Sequence, residues 1–255
     1  MSLATLNDLP PLLPASPLGG PLADKLARSR ALLDAVLAEF EPVRVAVAYT
    51  GGKDSGVALF LWREALARQG HEALPRPGRF PLNAISIDTG CKFPQVMAFR
   101  DRLSKDWGVA LTIARPEKDL ASSPLAQDKV ACCRDRKIIP LCTALRKTNT
   151  AVLLTGIRRD EHPSRLMRPY AELRAASEGC PEHWQVNPIL DWTEMDIWAF
   201  ITGEGLAYCE LYHEGYRSLG CMPCTRPAGA DSDERAGRDP DKERQLEILK
   251  GLGYF

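Results

Sequence analysis

Residues 43–55 read Val-Arg-Val-Ala-Val-Ala-Tyr-Thr-Gly-Gly-Lys-Asp-Ser, a short apolar run that leads directly into two glycines. The run at 43–49 predicts a buried strand, and the apolar spacing at 54–68 predicts a helix. Adjacent glycines allow a tight turn and a close approach of backbone N–H groups to a ligand, and the helix start behind them favours anions. An ordinary glycine turn is the alternative, since the spacing is not that of a Walker loop. We predict an anion-binding loop made of Thr50, Gly51, Gly52, Lys53, Asp54 and Ser55.

Apolar and amphipathic segments alternate along the rest of the chain. Helical spacing recurs at 23–40, 94–106, 135–147 and 193–202, and strand-like runs occur at 82–88, 109–114 and 151–155. This alternation indicates βαβ units, so we predict an α/β domain with a doubly wound, mostly parallel sheet. Ligands of such sheets bind at the carboxyl ends of the strands. Three polar segments follow predicted strands and therefore meet at this edge, namely 50–55, 88–93 and 156–165.

The chain has 255 residues, with 33 basic and 33 acidic side chains and no formal net charge. A zero net charge creates no protein-wide field toward nucleic acid or anionic membranes, so we expect neither as a partner. No apolar run approaches the roughly 18 residues that indicate a membrane span, and the N-terminus lacks the pattern of a secretory signal. We therefore expect a cytoplasmic protein, in which the eight cysteines do not form four disulfides.

The two ends of the chain differ in composition from its middle. Residues 1–22 carry five prolines, which prevent regular structure, so we predict an N-terminal arm there. Residues 23–227 form the predicted α/β domain, and residues 228–255 form a C-terminal tail over its site. The stretch 226–245 mixes charges with proline and glycine and is predicted to be a surface segment.

Four of the cysteines form two pairs. Cys132 and Cys133 are adjacent, and Cys221 and Cys224 form a Cys-x-x-Cys motif. Four thiolates suit a tetrahedral zinc ion or an iron–sulfur cluster. Tandem side chains point in different directions and so suit the separated corners of a cluster better than one zinc ion. The alternative is a set of buried free thiols, and we expect this for the other four cysteines: Cys91, Cys142, Cys180 and Cys209.

The cysteine motifs resemble those of a known enzyme family. Cys-Cys-Arg-Asp-Arg-Lys-Ile-Ile-Pro-Leu at 132–141 and Tyr-Arg-Ser-Leu-Gly-Cys-Met-Pro-Cys-Thr-Arg-Pro at 216–227 are similar to the cluster motifs of adenylyl-sulfate reductases, in the phosphoadenylyl-sulfate reductase family. The loop at 50–55 resembles the pyrophosphate loop (PP-loop) of the wider adenosine-nucleotide α-hydrolase superfamily, with Thr50 in place of a serine. The resemblance implies a 4Fe-4S cluster on the four paired cysteines.

A basic segment follows the strand predicted at 151–155. It reads Gly-Ile-Arg-Arg-Asp-Glu-His-Pro-Ser-Arg at 156–165, and arginines are bidentate donors to phosphate or sulfate. A solvated turn that is neutralised by its own acids is the alternative. The segment resembles a motif of the reductases and of the ATP sulfurylase small subunit. The resemblance implies that Lys137 links the substrate to the cluster, and it implies a nucleotide and phosphosulfate site that includes Asp88, Thr89, Gly156, Arg158, Arg159, Ser164, Arg165, Arg235 and Arg238.

The end of the chain departs from the family pattern. The reductases place their nucleophile in a C-terminal Glu-Cys-Gly-x-His motif, whereas no cysteine follows Cys224 here. Another cysteine, such as Cys91 or Cys209, could serve, the chemistry could differ, or the sequence could be truncated. The catalytic residue is therefore unknown from the sequence.

The resemblance implies an enzyme of assimilatory sulfate reduction. Such an enzyme converts adenylyl sulfate, or phosphoadenylyl sulfate, with thioredoxin-type thiols, and the adenylyl-sulfate reaction gives sulfite and AMP. One alternative is an ATP-dependent adenylating or sulfur-transfer enzyme, similar to the sulfurylase small subunit or to cluster-bearing thiolation enzymes. Another is a nucleotide-binding paralogue without catalysis. A homo-oligomer is compatible with each of the three.

Overall fold

Six strands form one sheet in the computed structural model, which describes residues 19–70, 82–116, 125–177, 179–229 and 232–253. Most of the predicted N-terminal arm, residues 1–18, lies outside the described residues. The strands are β1 (Val45–Ala48), β2 (Leu82–Ile87), β3 (Val109–Ala114), β4 (Val152–Leu154), β5 (Ala171–Arg174) and β6 (His183–Val186). The helices are α1 (Leu22–Glu39), α2 (Lys53–Arg68), α3 (Pro94–Asp106), α4 (Lys129–Cys133), α5 (Ile139–Lys147), α6 (Glu194–Gly203), α7 (Pro240–Arg244) and α8 (Leu246–Gly251).

The strands lie in the order β3-β2-β1-β4-β6-β5. Neighbouring strands are parallel except for β5 and β6, and this confirms the predicted doubly wound, mostly parallel sheet. The chain moves outward from β1 to β3 and then returns to the opposite side of β1. The winding therefore reverses between β1 and β4, and the carboxyl ends of these two strands are where such a sheet binds its ligand.

Strand β1 is buried because helices cover both faces of the sheet. Its residues are at most 4% exposed. Val45 and Val47 pack with Trp62 of α2 in one core, whereas Ala48 packs with Leu145 of α5 in a second core. A strand that is buried on both faces shows a continuous apolar run rather than alternation, as the sequence does at 43–49.

Most predicted elements are present with small shifts at their ends. The helix at 94–106 and the strand at 109–114 have the predicted bounds. The helix predicted at 135–147 begins earlier, at Lys129, because α4 runs through a π-helical segment, Arg134–Ile138, into α5. The sequence pattern does not predict β5 and β6, which are four residues long and form the antiparallel edge of the sheet. Among the described residues, none of the helices is long and apolar enough to cross a membrane.

The prediction that residues 226–245 form a surface segment is wrong for their central part. Glu234, Arg235 and Arg238 are at most 9% exposed. Backbone hydrogen bonds attach the segment to the Cys-x-x-Cys turn, since the Asp239 N–H donates to the Cys224 carbonyl at 3.1 Å. Glu234 pairs with Lys53 and Arg158 of the α/β domain, and Arg235 pairs with Glu161 there and with Glu243 of the tail. Composition alone does not reveal such pairing.

Candidate functional site

The glycine loop between β1 and α2 is held by its own hydroxyl groups. The Ser55 hydroxyl lies 3.1 Å from the Thr50 hydroxyl and donates to the Gly52 carbonyl at 2.9 Å. Gly51 has φ +81°, and a Cβ there would lie 2.9 Å from the Val96 carbonyl oxygen. The loop therefore needs glycine at this position, both for its backbone conformation and for its contact with α3.

Gly156 brings the end of β4 against the glycine loop. A Cβ on Gly156 would lie 2.7 Å from the carbonyl carbon of Asp54 and 2.8 Å from the Ser55 nitrogen. Both atoms are backbone, so they cannot move aside as a flexible side chain would. The absence of a side chain at Gly156 thus lets the loops after β1 and β4 share one site at the switch point of the sheet.

A cleft opens beyond these two loops. It is lined by the glycine loop, Gly156, the end of β2, the 3-10 turns that follow β4, and the tail. Its cavity volume is about 130 Å³, and the cleft is open to solvent on one side. Its charged lining consists of five cations and two carboxylates: Lys92, Lys137, Arg165, Arg235 and Arg238, with Asp54 and Glu161.

The excess of cations in the lining of this cleft favours an anionic ligand. Glu161 forms ion pairs with Arg165 and with Arg235, at 3.5 Å in the second case, so it holds two arginines side by side at the cleft. Lys92 is not among the predicted site residues. Its signal is its position within the polar segment 88–93 that follows β2, at the edge of the sheet where ligands bind.

Three predicted phosphate ligands lie outside this lining. Arg158 is fully buried, and its guanidinium pairs with Asp54 at 2.7 Å, Glu234 at 2.5 Å and Asp160 at 3.1 Å. Lys53 also pairs with Glu234. Arg159 pairs with Asp191, outside this group. These three cations are paired with carboxylates in the structure, and their role as phosphate ligands stays a prediction.

The other predicted polar residues occupy the edges of the site. The Ser164 hydroxyl lies 2.8 Å from the His162 ring, outside the cleft lining. Asp88 accepts a hydrogen bond from Arg115 at 2.8 Å and is also outside the lining. The Thr89 hydroxyl lies 3.2 Å from the Cys221 sulfur, which assigns Thr89 to the cysteine side of the site.

The two cysteine pairs lie on separate elements beside the cleft. Cys132 and Cys133 end α4, just before the π-helical segment. Cys221 pairs with Lys92 in a β-bridge, and the Met222 N–H donates to the Cys91 carbonyl at 2.8 Å. These contacts bring the Cys-x-x-Cys turn to the carboxyl end of β2.

The thiol of Cys221 is in an electropositive environment. Burial acts to raise its pKa, but the charges of Lys137 and Lys92 and the hydrogen bond with Thr89 outweigh burial and lower the pKa to about 6. The thiolate is the form that binds metals. Lys137 and Lys92 also line the cleft, so the anion site and this cysteine share two cations.

Within the described parts of the chain, no three cysteine sulfurs lie within 4.8 Å of one another. The ligand role of Cys132, Cys133, Cys221 and Cys224 therefore stays a prediction.

Comparison with known proteins identifies the family. The model of the phosphoadenosine phosphosulfate reductase domain matches residues 44–227, which include the glycine loop and all four paired cysteines. The chain belongs to this reductase-domain family. Arg235 and Arg238 of the cleft lie in the tail, beyond the matched residues.

Curated relatives of this chain are named adenosine 5'-phosphosulfate reductase. The chain is 33% identical over 62% of its length to adenosine 5'-phosphosulfate reductase from Neisseria meningitidis serogroup B, and 34% identical over 64% to that of Mycolicibacterium smegmatis. The matches cover 66% and 68% of those relatives, so the chain spans about two thirds of their length.

Solved structures with the same fold are more distant in sequence. The phosphoadenylyl-sulfate reductase of Candida auris, in a phosphate complex, is 20% identical with a TM-score of 0.62 over 88% of this chain and 96% of that one. The FMN adenylyltransferase of Candida glabrata is 19% identical with a TM-score of 0.64 over 98% and 90%. At these identities the likeness shows the fold alone.

The remaining cysteines of this reductase-family chain have different environments. Cys142 and Cys180 form a disulfide between α5 and the segment before β6, so the prediction that they are free thiols is wrong. Cys209 is a free thiol, 1% exposed, within the main core. Cys91 is free and half-buried beside the Cys-x-x-Cys turn.

Proposed function

We propose that this chain is an adenylyl-sulfate reductase-like enzyme of assimilatory sulfate reduction, with a 4Fe-4S cluster on Cys132, Cys133, Cys221 and Cys224. The single observation that carries the proposal is that Lys137 and Lys92 belong to the cationic cleft and also act on the Cys221 thiol. A phosphosulfate in the cleft would lie beside the cysteines. The family match and the names of the relatives support the same substrate class.

The nucleotide would bind with its phosphate at the glycine loop and its sulfo group toward Lys137. The loop N–H groups and the start of α2 supply partial positive charge for the phosphate. Arg165, Arg235 and Arg238 provide guanidinium groups on the facing side of the cleft, where they suit the remaining phosphate and sulfo oxygens. The adenosine side would extend toward the end of β2, near Thr89.

The cluster, when bound, would supply electrostatic stabilisation near the sulfo group rather than electrons. The lysines at the cleft keep Cys221 in its thiolate form and attract the sulfo group. Lys137 is 8% exposed, so its charge is screened less than that of a surface lysine.

The reaction would proceed by two thiol steps. A thiolate attacks the sulfur of adenylyl sulfate, the sulfur–oxygen bond to the phosphate breaks, and AMP leaves, so a thiosulfonate remains on the attacking thiol. A second thiol then attacks the thiol sulfur of that adduct, releases sulfite and forms a disulfide. The two electrons come from a thioredoxin-type dithiol. No cysteine lines the cleft in the described part of the chain, so we do not assign the attacking thiol to a residue.

The test is turnover by anaerobically purified protein with adenylyl sulfate, thioredoxin and its reductase. We expect sulfite and AMP in equal amounts. Parallel reactions with phosphoadenylyl sulfate and with ATP identify the preferred nucleotide. Pyrophosphate release from ATP without sulfite would instead indicate an adenylating enzyme, and nucleotide binding without any product would indicate a non-catalytic paralogue.

A further inference from the structure

Tyr212 occupies a position at the glycine loop that the sequence analysis did not assign. Its side chain lines the cleft from the 3-10 turn Glu210–Glu214. The N–H of Lys53 donates to the Tyr212 hydroxyl oxygen at 2.9 Å. Lys53 is the first residue of α2, and the first N–H groups of a helix have no acceptor within the helix. These are the groups that hold an anion at a helix start, so the phenol lies where a phosphate oxygen would be expected.

Packing fixes the ring of Tyr212 in this position. Trp198 of α6 contacts it edge-to-face with ring centroids 5.2 Å apart. The ammonium of Lys53 lies 5.5 Å from the ring centroid, which suits a cation–π contact. The hydroxyl is therefore placed by the aromatic cluster and α2 before any ligand arrives, and such preorganisation lowers the cost of binding.

The Tyr212 hydroxyl can still donate a hydrogen bond. Its oxygen accepts from Lys53, and within the described residues its proton has no acceptor. Burial raises the pKa of Tyr212 far above its ordinary value, so the group stays protonated near neutral pH. A neutral donor at the mouth of an anion site suits an anionic oxygen.

We propose that the Tyr212 hydroxyl donates a hydrogen bond to a phosphate oxygen of the bound nucleotide. The phenol would then connect the N–H of Lys53, at the start of α2, to that phosphate. The inference deepens the proposed function, because it concerns the phosphate end of the same site. It assigns Tyr212 as a binding residue, and it requires neither the cluster nor the reduction step.

The test is isothermal titration of wild type and Tyr212→Phe with AMP and with adenosine. Loss of a hydrogen bond to a charged group weakens binding by about ten- to a hundredfold, so we expect that loss for AMP and no change for adenosine. Tyr208→Phe is the matched control, since its ring lies 6.3 Å from that of Tyr212 in the same cluster. It should leave both affinities unchanged. Equal melting temperatures would show that the variants fold alike.

Unchanged or tighter AMP binding in Tyr212→Phe would overturn the inference, because the hydroxyl would then only cap the loop. Wild-type protein that binds no AMP would overturn it as well. The proposed reaction can fail separately. Protein that shows the Tyr212-dependent AMP affinity yet forms no sulfite would refute the reductase proposal and leave the Tyr212 contact standing.

Discussion

Lys137 lines the anion cleft and also contributes the strongest favourable charge at the Cys221 thiol. The two residues are 84 positions apart in the sequence (221 − 137). They meet because the π-helical segment that carries Lys137 and the turn that carries Cys221 both reach the carboxyl end of the sheet. An anion that binds in the cleft and a group that binds the cysteines would therefore both interact with Lys137.

Arg238 gives the first prediction, which concerns anion affinity. Arg238→Gln should weaken adenylyl sulfate binding about ten- to a hundredfold, because a charged donor in the cleft is lost. Titration calorimetry measures the change. Arg244→Gln is the control, since Arg244 is exposed in the same tail and pairs with Asp241. Equal losses in both variants would contradict the assignment of Arg238 to the cleft.

Arg158 gives the second prediction, which concerns stability. Arg158→Gln should lower the free energy of unfolding by about 3–5 kcal/mol, because Asp54 and the buried Glu234 each lose one of their two cationic partners. Urea denaturation measures the change. Arg134→Gln, at an exposed arginine that pairs with its neighbour Asp135, should change the stability by less than about 0.5 kcal/mol. An Arg158→Gln variant with wild-type stability and weakened ligand binding would contradict this structural role and support Arg158 as a phosphate ligand.

Gly156 gives the third prediction, which concerns the junction of the two loops. Gly156→Ala should destabilise the protein by about 1–3 kcal/mol and weaken AMP binding, because its Cβ would lie 2.7 Å from backbone of the glycine loop. Gly203→Ala is the control, because no atom lies within 4 Å of the added Cβ. Thermal melts and calorimetry report both effects. A Gly156→Ala protein that melts and binds as wild type would refute the close approach.

The cysteine quartet gives the fourth prediction. Cys133→Ser, made and purified without oxygen, should lose most of its iron and acid-labile sulfide, because a cluster corner loses its thiolate. Cys91→Ser should retain both, although Cys91 lies beside the Cys-x-x-Cys turn. Metal analysis and the visible absorption spectrum provide the readout. One equivalent of zinc with no iron in the wild type would refute the cluster, and iron loss in Cys91→Ser would reassign the ligand set.

The parts that the sequence predicts well depend on local interactions. Strand β1, the glycine loop and α2 follow one another along the chain. Helix α3 begins at Pro94 and ends at Asp106, as its apolar spacing indicates. Helix α6 begins with the capping box of Thr193 and Asp196, and the Thr-x-x-Asp pattern in the sequence predicts this start.

The parts that the sequence does not predict depend on distant partners. Lys53 pairs with Glu234, 181 positions away, and this ion pair becomes visible only when the tail is placed. The phenol of Tyr212 reaches Lys53 from 159 positions away. The disulfide of Cys142 with Cys180 likewise depends on where the hairpin of β5 and β6 packs, and neither strand has a strong pattern of its own.

The most direct test of a phosphosulfate cleft is the affinity of wild-type protein for adenylyl sulfate relative to AMP. Both nucleotides carry close to two negative charges near neutral pH, so a difference reports recognition of the sulfo group rather than total charge. We predict that adenylyl sulfate binds at least about tenfold more tightly and that Lys137→Gln removes most of this difference. Equal affinities in the wild type, or tighter binding of ATP than of adenylyl sulfate, would contradict the proposed site.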